Sequence, residues 1–391
     1  AARLMEQGVK VRLINKQGEL SGIRYSRGSV AVLKSDNQGN EQLSSLVTAV
    51  ANELSLPLDA INVGLGDGDF ADIGGSHFEL LTQPKIAIAS RGAVSPYDFG
   101  AIWHMLDTNI GIRHSHVDLN NMARADLRQY NVIVLPHTYG KIEKSTLSAL
   151  EAWVKQGGTL IAIEGATRAL IAAKIPSVVS LDKALEEASK YDLSLQREWL
   201  AKQNTILNKQ FVSSNTVPEA IALPWLASSK LESLDKDQLK LWDEWAQKFM
   251  PSGAMVASRT DQKHWLTFGV TQTLPLLVSN PPLLMSDDSS VAAVRMGTFV
   301  KNEKAKSRKL GWSTIPEGYD ITVRMSGLLW PEAAQRIANS AYLTQESKGR
   351  GQLILFAGQP IFRGATKGTE RLLMNAIVFG PGLGASQAIN L

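Results

Sequence analysis

Lys85-Ile86-Ala87-Ile88-Ala89, Asn131-Val132-Ile133-Val134-Leu135 and Thr159-Leu160-Ile161-Ala162-Ile163 are three near-continuous apolar runs that follow one another between Pro84 and Gly165. A strand with one wet face alternates apolar and polar residues. Runs that do not alternate are buried on both faces, as in a parallel sheet covered by helices. The intervening segments carry the matching helical stripe: over Asp98 to Asp107, Phe99, Ile102, Trp103 and Leu106 fall at i, i+3, i+4 and i+7. Ser145 to Gln156 reads as a second helix, and Leu353-Ile354-Leu355-Phe356 as a fourth buried strand. Right-handed crossovers between such strands place helices on both faces of the sheet. The expected fold is therefore α/β, a three-layer αβα sandwich with a mainly parallel sheet.

The third run breaks into Glu164-Gly165-Ala166-Thr167. A turn at the carboxyl end of a central strand is where open α/β sheets bind ligands. Glu164 thus stands where a ligand would be met; as an acyl-transfer nucleophile a carboxylate is poor, and no Ser-His-Asp set is evident by spacing. The chain has no cysteine, which excludes a thiolate nucleophile, disulfides and Cys-based zinc sites. No residue is assigned a catalytic role. The cleft candidates are Glu164, Thr167, Arg168, His137 and Arg363, with Glu164 expected in an ion pair with Arg168 or Arg363. His137, just past the second strand, reads most simply as an exposed loop residue.

Outward from this core the pattern changes. Ala1 to Gly8 looks like the last turns of a helix closed by a left-handed glycine, so the chain is expected to be a piece of a longer protein. Val9 to Ile14 and Ser29 to Leu33 read as short strands, Asn40 to Leu54 as a helix, and Leu56 to Ser76 as a Gly- and Asp-rich connection. Residues 1–75 are expected to form a small α+β lobe and 76–391 the αβα domain. A helical insertion over 181–250 carries Trp242, Trp245, Ala246 and Phe249 on one face. Strands are expected at Trp265 to Gly269 and Ala293 to Val300, a solvated loop at Lys301 to Lys309, and a final helix at Thr369 to Phe379 stopped by Gly380-Pro381.

Composition narrows the function classes. Lys plus Arg number 41 against 37 Asp plus Glu, and a net charge of +4 is small for a nucleic-acid binder of 391 residues. No window offers the roughly 18 consecutive apolar residues that a membrane span needs. No nucleic-acid partner and no membrane span are expected.

Three stretches resemble the C-terminal region of large bacterial zinc carboxypeptidases of the carboxypeptidase A-like class, which carry a class I glutamine amidotransferase-like, flavodoxin-like domain after the peptidase domain. They are Pro84 to Ile88 with Val94-Ser95-Pro96-Tyr97-Asp98 through Trp103-His104-Met105-Leu106-Asp107; Tyr130 to Pro136 with Gly157 to Ala162; and Ser326-Gly327 and Pro331-Glu332 through Gly349-Arg350-Gly351, Phe362-Arg363-Gly364 and Gly368 to Pro381. In that fold a sharp turn at the Glu164 position lifts a cysteine into the cleft. The resemblance implies a secreted or periplasmic protein and a peptidase domain ahead of Ala1. That domain would hold the zinc, with no cofactor in this chain. The partners it implies are this peptidase domain and peptide or protein substrate.

The residues present limit what carries over. A zinc carboxypeptidase holds its metal with two His and a Glu, and the family's His-x-x-Glu pair does not occur; His77-Phe78-Glu79 has the wrong interval. His114 and His116 share a face if that stretch is a strand, but two ligands without a third read as strand-edge polar residues. His104 reads as packing or capping within its helix. Gly64 to Asp69 lacks the closing Glu of a calcium loop and the flanking strand and helix of a dinucleotide loop, and reads as a linker. Two functions from different classes follow: a non-catalytic accessory domain of a zinc carboxypeptidase, or a freestanding amidotransferase-like hydrolase or ligand-binding protein working through a cleft around Glu164.

Overall fold

The computed structural model describes residues 1–178, 252–279, 281–286, 289–310 and 313–385. The expected insertion at 181–250 lies outside the described residues. At the N-terminus, α1 (Ala2–Glu6) is followed by β1 (Arg12–Ile14), β2 (Gly18–Leu20), β3 (Ile23–Tyr25), β4 (Val30–Ala31), α2 (Leu43–Glu53) and β5 (Phe78–Leu80). Strand β1 is the centre of an antiparallel sheet in the order β4-β1-β5, and β2 pairs with β3. This sheet takes in residues beyond 75, because β5 pairs with β1. Leu4, Met5, Val11, Leu13, Leu43 and Val50 share one apolar cluster with Phe268, Val378 and Phe379 near the other end of the chain.

The main layer begins with β6 (Ile86–Ser90), α3 (Pro96–His104), β7 (His114–Asp118), β8 (Val132–Leu135), α4 (Lys144–Lys155), β9 (Thr159–Ile163) and α5 (Gly165–Ala172). It continues with β10 (Ser252–Thr260), β11 (Pro275–Ser279), β12 (Ser290–Met296), β13 (Thr298–Lys301), β14 (Arg308–Leu310), β15 (Ser313–Ile315), β16 (Tyr319–Thr322), β17 (Arg324–Ser326), α6 (Pro331–Ile337), β18 (Ala341–Lys348), β19 (Gly351–Phe356) and α7 (Lys367–Phe379). One ten-stranded sheet runs β11-β10-β12-β18-β19-β9-β8-β6-β7, with β17 also on β10.

The αβα reading holds, and β9 and β19 lie side by side in parallel register, Leu160 opposite Leu353 and Ile163 opposite Phe356. Strands β19, β9, β8, β6 and β7 are all parallel. In chain order they stand 2-1-3-4-5, so the direction of growth reverses between β6 and β8, and a crevice opens at the carboxyl ends of those two strands. The rest of the sheet is antiparallel. The change of direction comes at the turn between β18 and β19, where Lys348 pairs with Gly351 and Gly349 takes φ 62. A two-residue turn with positive φ at its first central position is the connection that matches the twist of paired antiparallel strands. The core is wholly buried along Ile88, Val134, Ile161 and Ile354.

Four local expectations change. The helical stripe after Asp98 buries Ile102, Met105 and Leu106, while Trp103 is 44% exposed and His104 is exposed. Trp103 packs edge-on against His116 of β7, which leaves its other side in solvent. After His104 the helix widens into a π turn, Met105–Ile110, ended by left-handed Gly111. Trp265 to Gly269 is not a strand: Trp265–Thr267 is a 3-10 turn, because His264 Nδ1 accepts from Leu266 N–H and Thr267 Oγ1 bonds to the carbonyls of Asp261 and His264. Such side-chain bonds to nearby backbone compete with a sheet ladder. The Ala293 to Val300 strand is cut in two at Gly297 (φ 91). The Lys301 to Lys309 stretch is a loop only between the ends of β13 and β14.

Candidate functional site

Glu164 bridges β9 and α5 with φ 46 and ψ −103. A residue with a side chain held there costs on the order of 1–3 kcal/mol and persists only where its surroundings over-determine it. Two contacts do so. A Cβ on Gly165 would lie 2.0 Å from the Thr138 carbonyl oxygen, so the turn presses on the loop after β8 with no room for any other residue. Thr167 Oγ1, fully buried, lies 3.0 Å from both the Ala162 and the Phe356 carbonyl oxygens and fastens the start of α5 to the ends of β9 and β19. Thr167 therefore serves the turn and does not face the cleft.

The Glu164 carboxylate meets His137, with Oε2 3.0 Å from Nδ1, and the two side chains are only 11% and 22% exposed. His137 is thus neither a free loop residue nor remote from the turn. The loop after β8 folds back because Ser95 N–H donates to the His137 carbonyl at 2.8 Å and Tyr139 N–H to Ala93 at 2.8 Å. Tyr139 stands edge-on to the imidazole, ring centres 4.7 Å apart. His137 Nδ1 also lies 3.2 Å from Gly165 N–H. A protonated Nδ1 donates to Glu164; a bare Nδ1 accepts from Gly165. The bond to Glu164 raises the imidazole above its ordinary pKa against the opposing effect of burial; Glu164 and Asp98 charges add to the rise and Arg168 works against it.

Asp98, in the first turn of α3, is 9% exposed. Its carboxyl is pushed up by burial, only partly offset by a hydrogen bond from Ser95 and the charge of His137. Ser95 caps the helix, its Oγ accepting from Asp98 N–H at 3.4 Å. Tyr342 is wholly buried, its hydroxyl has no hydrogen-bond partner among the described residues, and burial and Glu164 together raise its pKa.

Beside this cluster a cavity of about 700 Å³ opens between α3 and α7. Its floor is Ser95, Asp98, Met105, Ile361 and Glu370; its rim is Tyr97, His104, Tyr139, Phe362 and Arg363. Glu370 is 2% exposed and fully engaged, with Lys367 Nζ at 2.9 Å and Asn109 Nδ2 at 2.5 Å. Asn109 and Met105 reach the cavity from the π turn; such turns recur at functional sites. Arg363 (φ 50) sits at the mouth, its guanidinium 5.0 Å over the Phe362 ring. Of the residues expected to form the cleft, Glu164 and His137 come together, Arg363 borders the neighbouring cavity, and Arg168 is exposed on α5.

Sequence reasoning missed Asp98, Ser95, Tyr139 and Glu370. A signal existed for the first two: Ser95-Pro96-Tyr97-Asp98 is an N-cap, a first-turn proline and an acid three residues on, placed directly after an apolar strand. Elsewhere, His114 and His116 lie on the edge strand β7 with rings 5.2 Å apart. His114 uses Nδ1 on the Ile112 carbonyl and has Asp107 3.7 Å from Nε2. Among the described residues no three His, Asp or Glu side chains meet as a metal site, and no helix is long and apolar enough to cross a membrane.

No protein-family model and no curated protein matches the chain. Solved structures similar to it include a ThuA-like protein from Bacteroides uniformis (11% identity, 75% of this chain and 89% of that one, TM-score 0.34). A GMP synthase component from Thermoplasma acidophilum also matches (7%, 76% and 94%, TM-score 0.38). So does a glutamine amidotransferase from Thermotoga maritima (7%, 75% and 83%, TM-score 0.35). Likeness at this level attaches no activity to the chain. The architecture, an αβα sandwich with a parallel half and an antiparallel extension, rests on the strand order and register given above.

Proposed function

We propose that this chain is a non-catalytic recognition domain: an amidotransferase-like scaffold whose nucleophile turn has been turned over to ligand holding. The observation that carries the reading is the Glu164–His137 pair at 3.0 Å. At the position where this fold presents a thiol, the side chain is a carboxylate already engaged by an imidazole, and the chain contains no cysteine. From the sequence resemblance, the domain serves as an accessory to a zinc carboxypeptidase domain, packing on it or recruiting its peptide substrate, in a secreted or periplasmic protein; the zinc belongs to that peptidase domain. One observation favours a second reading. A carboxylate that orients an imidazole beside a strained turn is also how hydrolases prepare a base, so a freestanding hydrolase is the alternative.

The test is direct. The purified chain is expected to release no ammonia from glutamine and no C-terminal residue from peptides, and to show ligand-dependent rises in melting temperature that weaken in Glu164→Gln. Ammonia release or ester hydrolysis abolished by His137→Gln would replace the recognition reading with the hydrolase one. The reading frame ahead of Ala1 tests the accessory role: a His-x-x-Glu metal motif there supports it, and a start codon at Ala1 removes it.

A further inference from the structure

We infer that the cavity between α3 and α7 recognises a small organic ligand by a primary ammonium group, received by the carboxylate of Asp98 under an aromatic rim. This rests on the reading of the cleft as a recognition site and names what it recognises. The charges point first. Two carboxylates on the cavity floor are nine-tenths or more buried, Asp98 at 9% and Glu370 at 2% exposure. Glu370 has its cation, Lys367, at 2.9 Å. Asp98 has none within ion-pair distance among the described residues; its partner is the Ser95 hydroxyl, and the nearby imidazole of His137 is taken by Glu164 at 3.0 Å. Glu164 holds the imidazole, and Asp98 feels only its charge. A buried carboxylate without a counter-charge is costly, and a cationic ligand removes that cost.

The rim points the same way. Tyr97 is 86% exposed, Tyr139 64% and Phe362 36%, three aromatic side chains left open around one cavity. Aromatic faces attract cations; the Phe362 face is already taken by the Arg363 guanidinium at 5.0 Å, which leaves Tyr97 and Tyr139 for a ligand. The polar atoms select the kind of cation. Asp98 Oδ and Tyr139 Oη can accept from a ligand, while Ser95 Oγ already accepts from Asp98 N–H and from the Tyr139 hydroxyl at 3.5 Å; a primary ammonium offers three donors and a quaternary one none. Arg363 at the mouth opposes any cation, and one with a second positive charge most of all, which favours a monoamine seated at Asp98 over a polyamine. A cavity of about 700 Å³ accommodates a ligand of drug-like or smaller size.

Asp98 also lies in the first turn of α3, where a carboxylate steadies a helix without binding anything. Calorimetric titration at pH 7 separates the two roles. The expected result is saturable one-to-one binding of n-butylammonium, with n-butanol and tetramethylammonium at least tenfold weaker. Asp98→Asn, isosteric and expected to keep the wild-type circular dichroism, loses at least tenfold, while Asp126→Asn on the far surface loses nothing. Should Asp98→Asn fail to fold, Tyr97→Ala with Tyr139→Ala carries the test, with an expected fivefold loss. Absence of saturable butylammonium binding, or equal binding by Asp98→Asn, overturns the inference. If n-butanol or butyrate occupies the cleft instead, the recognition domain stands and only the ammonium assignment falls. If no probe binds while ester or amide substrates turn over, the recognition reading itself falls.

Discussion

The two halves of the ten-stranded sheet use polar groups in opposite ways. In the parallel half every strand ends on the same side, so the loops after β6, β8, β9 and β19 converge and bring Asp98, His137, Glu164 and Arg363 to one edge. In the antiparallel half successive strands end on opposite sides, and polar groups are absorbed where they stand. Arg259 and Arg295 lie directly opposite each other on β10 and β12. Burial, with Arg295 nearby, lowers Arg259 to about 10, yet both guanidiniums are stitched to local groups: Arg259 to Gly297 O and Asn339, Arg295 to Asn339 O and Ser286. Topology decides where a sheet gathers chemistry. Parallel strands gather it; antiparallel strands disperse it.

Glycines in the two halves give the largest contrast. Gly165→Ala, with its Cβ 2.0 Å from a backbone oxygen, is expected to cost about 3 kcal/mol or more in denaturant unfolding. Gly253→Ala, at φ 87 but with open space around it, is expected to lose only about 1 kcal/mol. Equal losses would mean that the Glu164 turn is no tighter than an ordinary strand end. An effect smaller than that of Gly165→Ala is expected from Thr167→Val, which removes the hydroxyl between Ala162 and Phe356 and should cost about 1–2 kcal/mol.

The smallest effect is in the pH profile. His137 is raised in the folded state by Glu164, so its contribution to stability is fully present below the unfolded value of about 6.5 and is lost as pH rises through the folded value. Melting temperature should therefore fall across that window. In Glu164→Gln, which leaves the more distant charge of Asp98 acting on the imidazole, the fall should be shallower. An unchanged slope would show that the pair does not link folding to protons.

The same contrast explains what was legible in the sequence. Ile86 to Ala89, Val132 to Leu135, Thr159 to Ile163 and Leu353 to Phe356 announce themselves because burial on both faces leaves no polar residue in the run. Strand β7 carries His114-Ser115-His116 because it is an edge, and so could be read only conditionally. The antiparallel strands, half-wet and broken at Gly297, merge with loops in sequence. At the site, Glu164 was visible from its place after a buried strand. Its partner was not: an arginine was the obvious charge, but pairing is set by how the β8 loop folds back through Ser95 and Ala93, and no spacing encodes that. Asp98 was hidden for a similar reason, since its helix was read for its apolar stripe.

The contact of Gly165 with Thr138 has a mechanical side. Thr138 lies between His137, which grips Glu164, and Tyr139, which forms part of the cavity rim. With 2.0 Å separating the Thr138 oxygen from the space where a Cβ would stand, the joint between this loop and the α5 turn has no slack. A side chain larger than hydrogen at position 165 would have to push this loop, and with it Tyr139 and His137, away from the turn. The fit of the rim loop against the turn is thus set by one glycine.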